Sequence, residues 1–235
     1  MYLCDMTIQE QLKSVIRDVP NFRAAHLIYG DILNIRNAPI TTVGDVPATI
    51  SQNAVNSLQG LRAETRARVV GVKYLPPPNT VPSQLLHLSS FSRHAIVVDA
   101  SKSRLYVFEN DGKTIKLLNH FYTTMGKLGI GKVDEGDQKT PLGVYYISRT
   151  IAQDKLPTKY GPGYYGSGAL TLTYPNPLDL RRGKTGSGIW LHGKPKAQFA
   201  RAPLATEGCI ALSNPDLDRI IRELLDAPLF GVGLV

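Results

Sequence analysis

Three consecutive prolines, Pro76-Pro77-Pro78, followed by Asn79, separate two stretches of chain that cannot share one kind of structure. Proline fixes φ and lacks an amide hydrogen, so no helix continues through this run. Before it the apolar residues repeat at helical spacing; after it they alternate. The boundary predicts a helical module over residues 1–78 and a β-rich domain over residues 79–235. At 235 residues the chain is long enough for both to have a core.

On the helical side, Thr7-Ile8-Gln9-Glu10 fits a capping box, and Ile8, Leu12, Val15, Ile16 and Val19 fall on one face before Pro20. Asn21 fits the cap of a second helix, in which Phe22, Ala25, Ile28, Ile32 and Leu33 share a face and Gly30 is the weak point. A third helix is predicted over residues 53–68, with Val55, Leu58 and Leu61 on one side and Glu64 and Arg68 placed to pair at i,i+4. These stripes read as packing faces, with a partner-binding groove as the alternative. No repeat of solenoid period occurs.

Beyond the prolines, alternation over 94–99, 104–109, 116–124, 144–147 and 170–174 predicts strands, punctuated by Asp111-Gly112, Gly126, Gly129 and Gly131. Ser213-Asn214-Pro215-Asp216 opens a helix through Leu225, with Asn214 as cap and Pro215 at its first position. Residues 229–235 read as a last strand. The whole is an α+β chain.

The chemistry of this chain centres on Cys209, in Thr206-Glu207-Gly208-Cys209-Ile210, and on His192-Gly193, 17 positions upstream after the strand-like Ile189-Trp190-Leu191. A thiolate, not a thiol, attacks carbonyl carbon, and a free thiol with a pKa of about 8.5 is mostly protonated at neutral pH. A nearby imidazole can remove that proton. Gly208 suits a turn whose backbone comes close to substrate and offers its N–H to a developing oxyanion. Taken singly, Cys209 also fits a small buried hydrophobe and His192 a satisfied core histidine.

Three ordered segments resemble the L,D-transpeptidase (YkuD) family. Residues 192–212 resemble its histidine-glycine pair followed by a Ser/Thr-His-Gly-Cys turn, Thr140-Pro141-Leu142-Gly143 its Thr-Pro-x-Gly strand start, and His94–Asp99 with Leu105–Phe108 its opening hairpin. Glu207 stands where the family usually has histidine, Ala211 where arginine is common, and the histidine-to-threonine interval is about one residue short. The resemblance implies a mixed β-sandwich catalytic domain preceded by a small helical domain. It also implies that Cys209 is the nucleophile and His192 the base, that the Gly193 carbonyl orients the imidazole, and that Gly208 and Cys209 supply amide donors. Substrate contacts are expected from Tyr164 and Tyr165, in a glycine-rich segment where the family carries a lid, and from Trp190, Thr206 and Glu207. Glu207 is expected to point outward or to hold a substrate amine.

The reaction so implied takes the acyl group of a peptidoglycan tetrapeptide stem at the L-centre of its third residue, forms a thioester and expels D-alanine. An amine acceptor gives a 3→3 cross-link or an attached outer-membrane protein or lipoprotein; water gives an L,D-carboxypeptidase. Detachment of a lipoprotein from murein is a third outcome of the same machinery, and a non-catalytic wall-binding module is the alternative from another class. Such work belongs in the periplasm or cell envelope, with an export segment expected to precede this sequence.

The formal net charge of +8 favours an anionic partner, which stem peptides with free carboxylates satisfy. Nucleic acid is not expected, because the basic residues are scattered apart from Arg181-Arg182-Gly183-Lys184, which reads as a solvated loop. Gly126–Lys132 lacks the order of a phosphate loop and reads as a hairpin loop near the site. Cys4 and Cys209 are the two cysteines, so no structural disulfide is expected, and the five histidines form no metal-ligand pair. No cofactor and no membrane span are predicted.

Overall fold

A computed structural model describes residues 2–20, 22–34, 52–77, 80–83, 85, 88, 92–196, 198, 201–225 and 232–234. The chain forms two compact units, one of Met1–Arg66 with Ala197–Ala202 and a second of Ala67–Lys196 with Pro203–Val235.

The first unit is built on helices α1 (Tyr2–Asp18), α2 (Arg23–Asn34) and most of α3 (Gln52–Lys73). Helix α1 begins five residues before Thr7, so the Thr7–Glu10 sequence lies inside a helix and not at its start. The cap expected of Asn21 lies outside the described residues. Helices α1 and α2 pack together, and Ala24 and Ala25 are buried, as small side chains are where backbones approach closely. Leu58 is buried as its spacing predicts, and buried Glu64 accepts a 2.6 Å hydrogen bond from the Arg201 amide. Helix α3 runs five residues past its predicted end at Arg68 because nothing stops it earlier. Pro76 is the first residue that forbids helix, and it biases Leu75 away from helical dihedrals.

In the second unit, one sheet has the order β3-β2-β1-β11-β5 and another the order β10-β8-β7-β6. The strands of the first are β1 (His94–Asp99), β2 (Arg104–Asn110), β3 (Ile115–Tyr122), β5 (Gly143–Tyr145) and β11 (Val232–Leu234). Those of the second are β6 (Ile147–Ala152), β7 (Gly168–Leu172), β8 (Trp190–His192) and β10 (Ile210–Ala211). A short parallel pair, β4 (Met125–Gly126) with β9 (Leu204–Thr206), adjoins the second sheet through a bridge between Thr124 and Ala211 of β10. Strand β1 matches its predicted span, and Asp111 ties the turn into β3 with hydrogen bonds from the amides of Lys113 and Thr114.

One core joins the sheets. Ile96, Val98, Leu105 and Val107 from the first meet Leu170, Leu172, Leu191 and Ile210 from the second, together with Leu217, Ile220 and Leu224 of helix α5 (Asn214–Leu225). Each such side chain contributes roughly 1.5–3 kcal/mol by burial. The alternate residues of the first sheet, Ala95, Val97, Tyr106 and Phe108, form a second cluster on its other face.

Two local expectations are not met. Ser213 Oγ, not Asn214, accepts the amide of Asp216 at the start of α5, which leaves the Asn214 side chain for another task. The basic run at 181–184 is not a solvated loop throughout. It closes a one-turn helix, α4 (Pro177–Arg181), and Lys184 Nζ reaches the buried Asp179 carboxylate at 2.7 Å.

Candidate active site

Strand β8 ends at His192 and strand β10 begins directly after Cys209. The two strands are parallel neighbours, with Leu191 opposite Ile210 and His192 opposite Ala211. Side chains alternate along a strand and opposed residues project to the same side, so His192 and Cys209 are aimed at one face. Sequence spacing could not supply that register.

The turn before Cys209 is held from several sides. Gly208 has φ +123°, and a Cβ there would stand 2.8 Å from the Lys139 carbonyl oxygen, so only glycine fits. Thr206 Oγ1 donates to the Cys209 carbonyl at 2.6 Å and accepts the Gly208 amide at 3.1 Å. The Gly208 N–H, expected to face an oxyanion, is therefore engaged by Thr206. Buried Thr140 completes the frame: its hydroxyl donates to the Gly208 carbonyl at 2.9 Å and accepts the Gly126 amide at 2.9 Å.

His192 is buried, with Nδ1 2.5 Å from the Gly193 carbonyl oxygen. A carbonyl only accepts, so Nδ1 carries the proton, and in the neutral ring Nε2 is left as the basic atom. The Cys209 thiol is partly exposed, and its Sγ lies 3.4 Å from the Gly188 carbonyl oxygen. The Asn214 side chain staples this region together, its Oδ1 accepting the amides of Ser167 and Lys194 at 3.2 and 3.0 Å.

A pocket of about 370 Å³ opens over the pair, walled by Tyr160, Tyr164, Tyr165, His192, Thr206, Glu207 and Cys209 among others. The ring of Tyr165 meets His192 edge-on at 5.0 Å between centroids, and that of Tyr164 lies across it at 6.5 Å. Burial, and then negative charge at the neighbouring Cys209, push the Tyr165 hydroxyl up to about 12, so it stays a proton donor. Trp190 stands elsewhere: it packs on Tyr165 at 5.1 Å and lines a different pocket of about 340 Å³. Glu207 is exposed at the pocket wall and pairs with Lys127 Nζ at 2.7 Å.

Lys132, the last residue of the 126–132 loop expected near the site, also lines this pocket. Its buried ammonium donates to Asp137 Oδ1 and the Asp134 carbonyl, both at 2.8 Å. Burial would raise the Asp137 carboxyl, but hydrogen bonds from Lys132 and from the amides of Val133, Lys139 and Asp134 outweigh it and hold the group at about 2. Among the described residues no group of three or more His, Cys, Asp or Glu could hold a metal ion.

The family profile described as YkuD, the L,D-transpeptidase catalytic domain, matches residues 93–228, more than half of the chain. The chain belongs to the YkuD family. Two solved structures share the fold of this YkuD chain. Bd1075 of Bdellovibrio bacteriovorus is 32% identical over 63% of this chain and 50% of its own, with a TM-score of 0.50. The helical cell shape determining protein Pgp2 of Campylobacter jejuni is 30% identical over 64% of this chain and 52% of its own, with a TM-score of 0.51. The chain thus spans about half the length of each. A comparison with curated proteins gave no match. YkuD domains are L,D-transpeptidases, a class of acyltransferase acting on peptidoglycan, and the matched residues take in every site residue described above.

Proposed function

We propose that this chain is a peptidoglycan L,D-acyltransferase that works through a thioester on Cys209. The observation that carries the reading is the parallel β8–β10 register, which aims the His192 imidazole and the Cys209 thiol at one pocket. His192 Nε2 takes the thiol proton, and the thiolate adds to the carbonyl carbon at the L-centre of the third stem residue. The tetrahedral intermediate collapses as the imidazolium returns a proton to the departing amine of D-alanine. The amides of the Gly208-Cys209 turn receive the oxyanion, and the Gly208 N–H joins only by sharing or leaving its bond to Thr206 Oγ1. An acceptor amine then gives a 3→3 cross-link or an attached outer-membrane protein or lipoprotein, and water gives the tripeptide.

The stem peptide is the substrate class and the cell envelope the place of work, in keeping with the YkuD match. Similarity to Pgp2 supports a part in determining cell shape. Among the described residues no helix is long and apolar enough to cross a membrane.

The test is mass spectrometry of protein and muropeptides after incubation with disaccharide-tetrapeptide, run beside the Cys209→Ala variant. Dimers that depend on Cys209 identify a transpeptidase; tripeptide with free D-alanine identifies a carboxypeptidase. The absence of both product and protein adduct would sink the acyl-transfer reading and leave a lipoprotein-detaching amidase or a wall-binding module.

A further inference from the structure

Behind the first sheet, on the face that carries Val97 and Tyr106, lies a cavity of about 520 Å³ whose far wall is drawn from residues 74–77 and 80–83. Its lining residues all belong to the sheet unit, and none of them lines the Cys209 pocket.

Two buried polar groups on this face lack what burial demands. Tyr106 is 2% exposed, yet its hydroxyl has no hydrogen-bond partner among the described residues. Arg104, two residues earlier on β2 and so on the same face, is 5% exposed. One of its terminal nitrogens donates to the Arg68 carbonyl at 3.2 Å, but its Nε has no partner and no carboxylate pairs with it among the described residues. An unmade hydrogen bond and an uncompensated buried cation both cost stability. Folding accounts for neither, and a ligand that completes both does.

The charges acting on the Tyr106 hydroxyl are those of Lys102, Asp99 and Arg104, two cations against one carboxylate, and the first two line the cavity with it. Burial raises this hydroxyl above its ordinary pKa, so it stays a proton donor. Asp99 is already engaged: Ser101 Oγ and the Lys102 amide donate to its Oδ1, and Lys102 Nζ lies 2.9 Å from its Oδ2. The Lys102 ammonium keeps further N–H groups to donate. The polar groups left over are therefore donors in a net positive field.

We propose that this cavity binds a carboxylate carried on an aromatic body, with the acid group at Tyr106 Oη and Lys102 Nζ. The hydroxyl and the ammonium donate to the carboxylate oxygens, and the anion supplies the negative charge that Arg104 lacks. The body lies along Tyr74 and the rings of Pro76, Pro77 and Pro82, flat apolar surfaces that suit an aromatic ring. The volume falls within the range of about 300–1,000 Å³ usual for small-molecule sites. The site is separate from the chemistry at Cys209 and does not rest on it.

The test is NMR titration of the full chain with 3-phenylpropionate and its carboxamide, and with glycyl-glycyl-phenylalanine as free acid and as C-terminal amide. The expected result is binding of an acid at least about tenfold tighter than of its own amide. Whichever acid binds more tightly names the occupant, a free small molecule or a chain terminus. Tyr106→Phe is expected to weaken that acid about fivefold while leaving the melting temperature unchanged or higher, since it removes a hydroxyl that the fold does not satisfy. Lys102→Met brings the ratio of acid to amide close to one, and Asp99 keeps Ser101 and the backbone amide of residue 102 as partners. No binding, equal binding of acid and amide, or an affinity untouched by Tyr106→Phe overturns the proposal. A Tyr106→Phe chain that melts several degrees lower makes the hydroxyl a structural group and overturns it as well.

Discussion

Asn214 sets its side-chain oxygen so close to Gly193 that a Cβ on residue 193 would overlap it. Gly166 is shut in by the same oxygen from the other side and has φ +70°. One amide side chain at the head of α5 therefore fixes both the carbonyl that holds His192 Nδ1 and the end of the tyrosine segment.

Gly193→Ala is expected to cost about 2–4 kcal/mol of stability and to lower kcat. Adding Asn214→Ala removes the colliding atom, so the double variant loses less than the sum of the two single changes. Urea unfolding of all four proteins measures the coupling, expected at about 1 kcal/mol or more. Strict additivity would separate Asn214 from the site.

Thr140→Val leaves the buried Gly126 amide and the Gly208 carbonyl without their partner, at a cost of about 2–4 kcal/mol. Thr140→Ser keeps the hydroxyl and is expected to lose under about 1 kcal/mol. Both follow from denaturant midpoints, and in Thr140→Val the alkylation rate of Cys209 should fall as its turn loosens.

Asp137 makes part of the stability depend on pH. Its carboxyl is held at about 2 in the folded chain, below the unfolded value of about 3.9, so its contribution is complete above that value. It is lost as pH falls from about 4 to about 2. Asp137→Asn is expected to cost about 2 kcal/mol at pH 6, and the gap between the two proteins should narrow over that acid window. A gap that stays constant down to about pH 2 would show that the carboxylate charge is not involved.

With Cys4→Ser in the background, iodoacetamide reports on Cys209 alone. Proton removal by His192 predicts alkylation at pH 6 about tenfold faster than in His192→Ala. Equal rates would dissolve the catalytic pair.

The features legible in the sequence are those set by near neighbours. Alternation marks β1 at its observed span, the Asp111-Gly112 turn is evident, and the helical stripe places Leu58 inside. The start of α1 is not legible in the same way, because a capping-box pattern can also occur inside a helix. Ser213 and Asn214 both suit the cap of α5, and only packing decides which of them is used. The chemistry of Cys209 and His192 is visible as residue types, but the parallel β8–β10 pairing that aligns them depends on strands separated by a long connection. The sequence places the 126–132 loop near the site but does not single out Lys132, because its role lies in being buried beside Asp137.

The six residues Ala197–Ala202 count with the helical unit although they lie between the two residues of the pair, and the Arg201 amide is spent on Glu64. In sequence order, assignment thus passes from the sheet unit to the helical unit and back between His192 and Cys209. A cut at the prolines would part Glu64 from the Arg201 amide it accepts, in the segment that leads from His192 to Cys209, so the stretch before the prolines and the nucleophile are not independent cassettes.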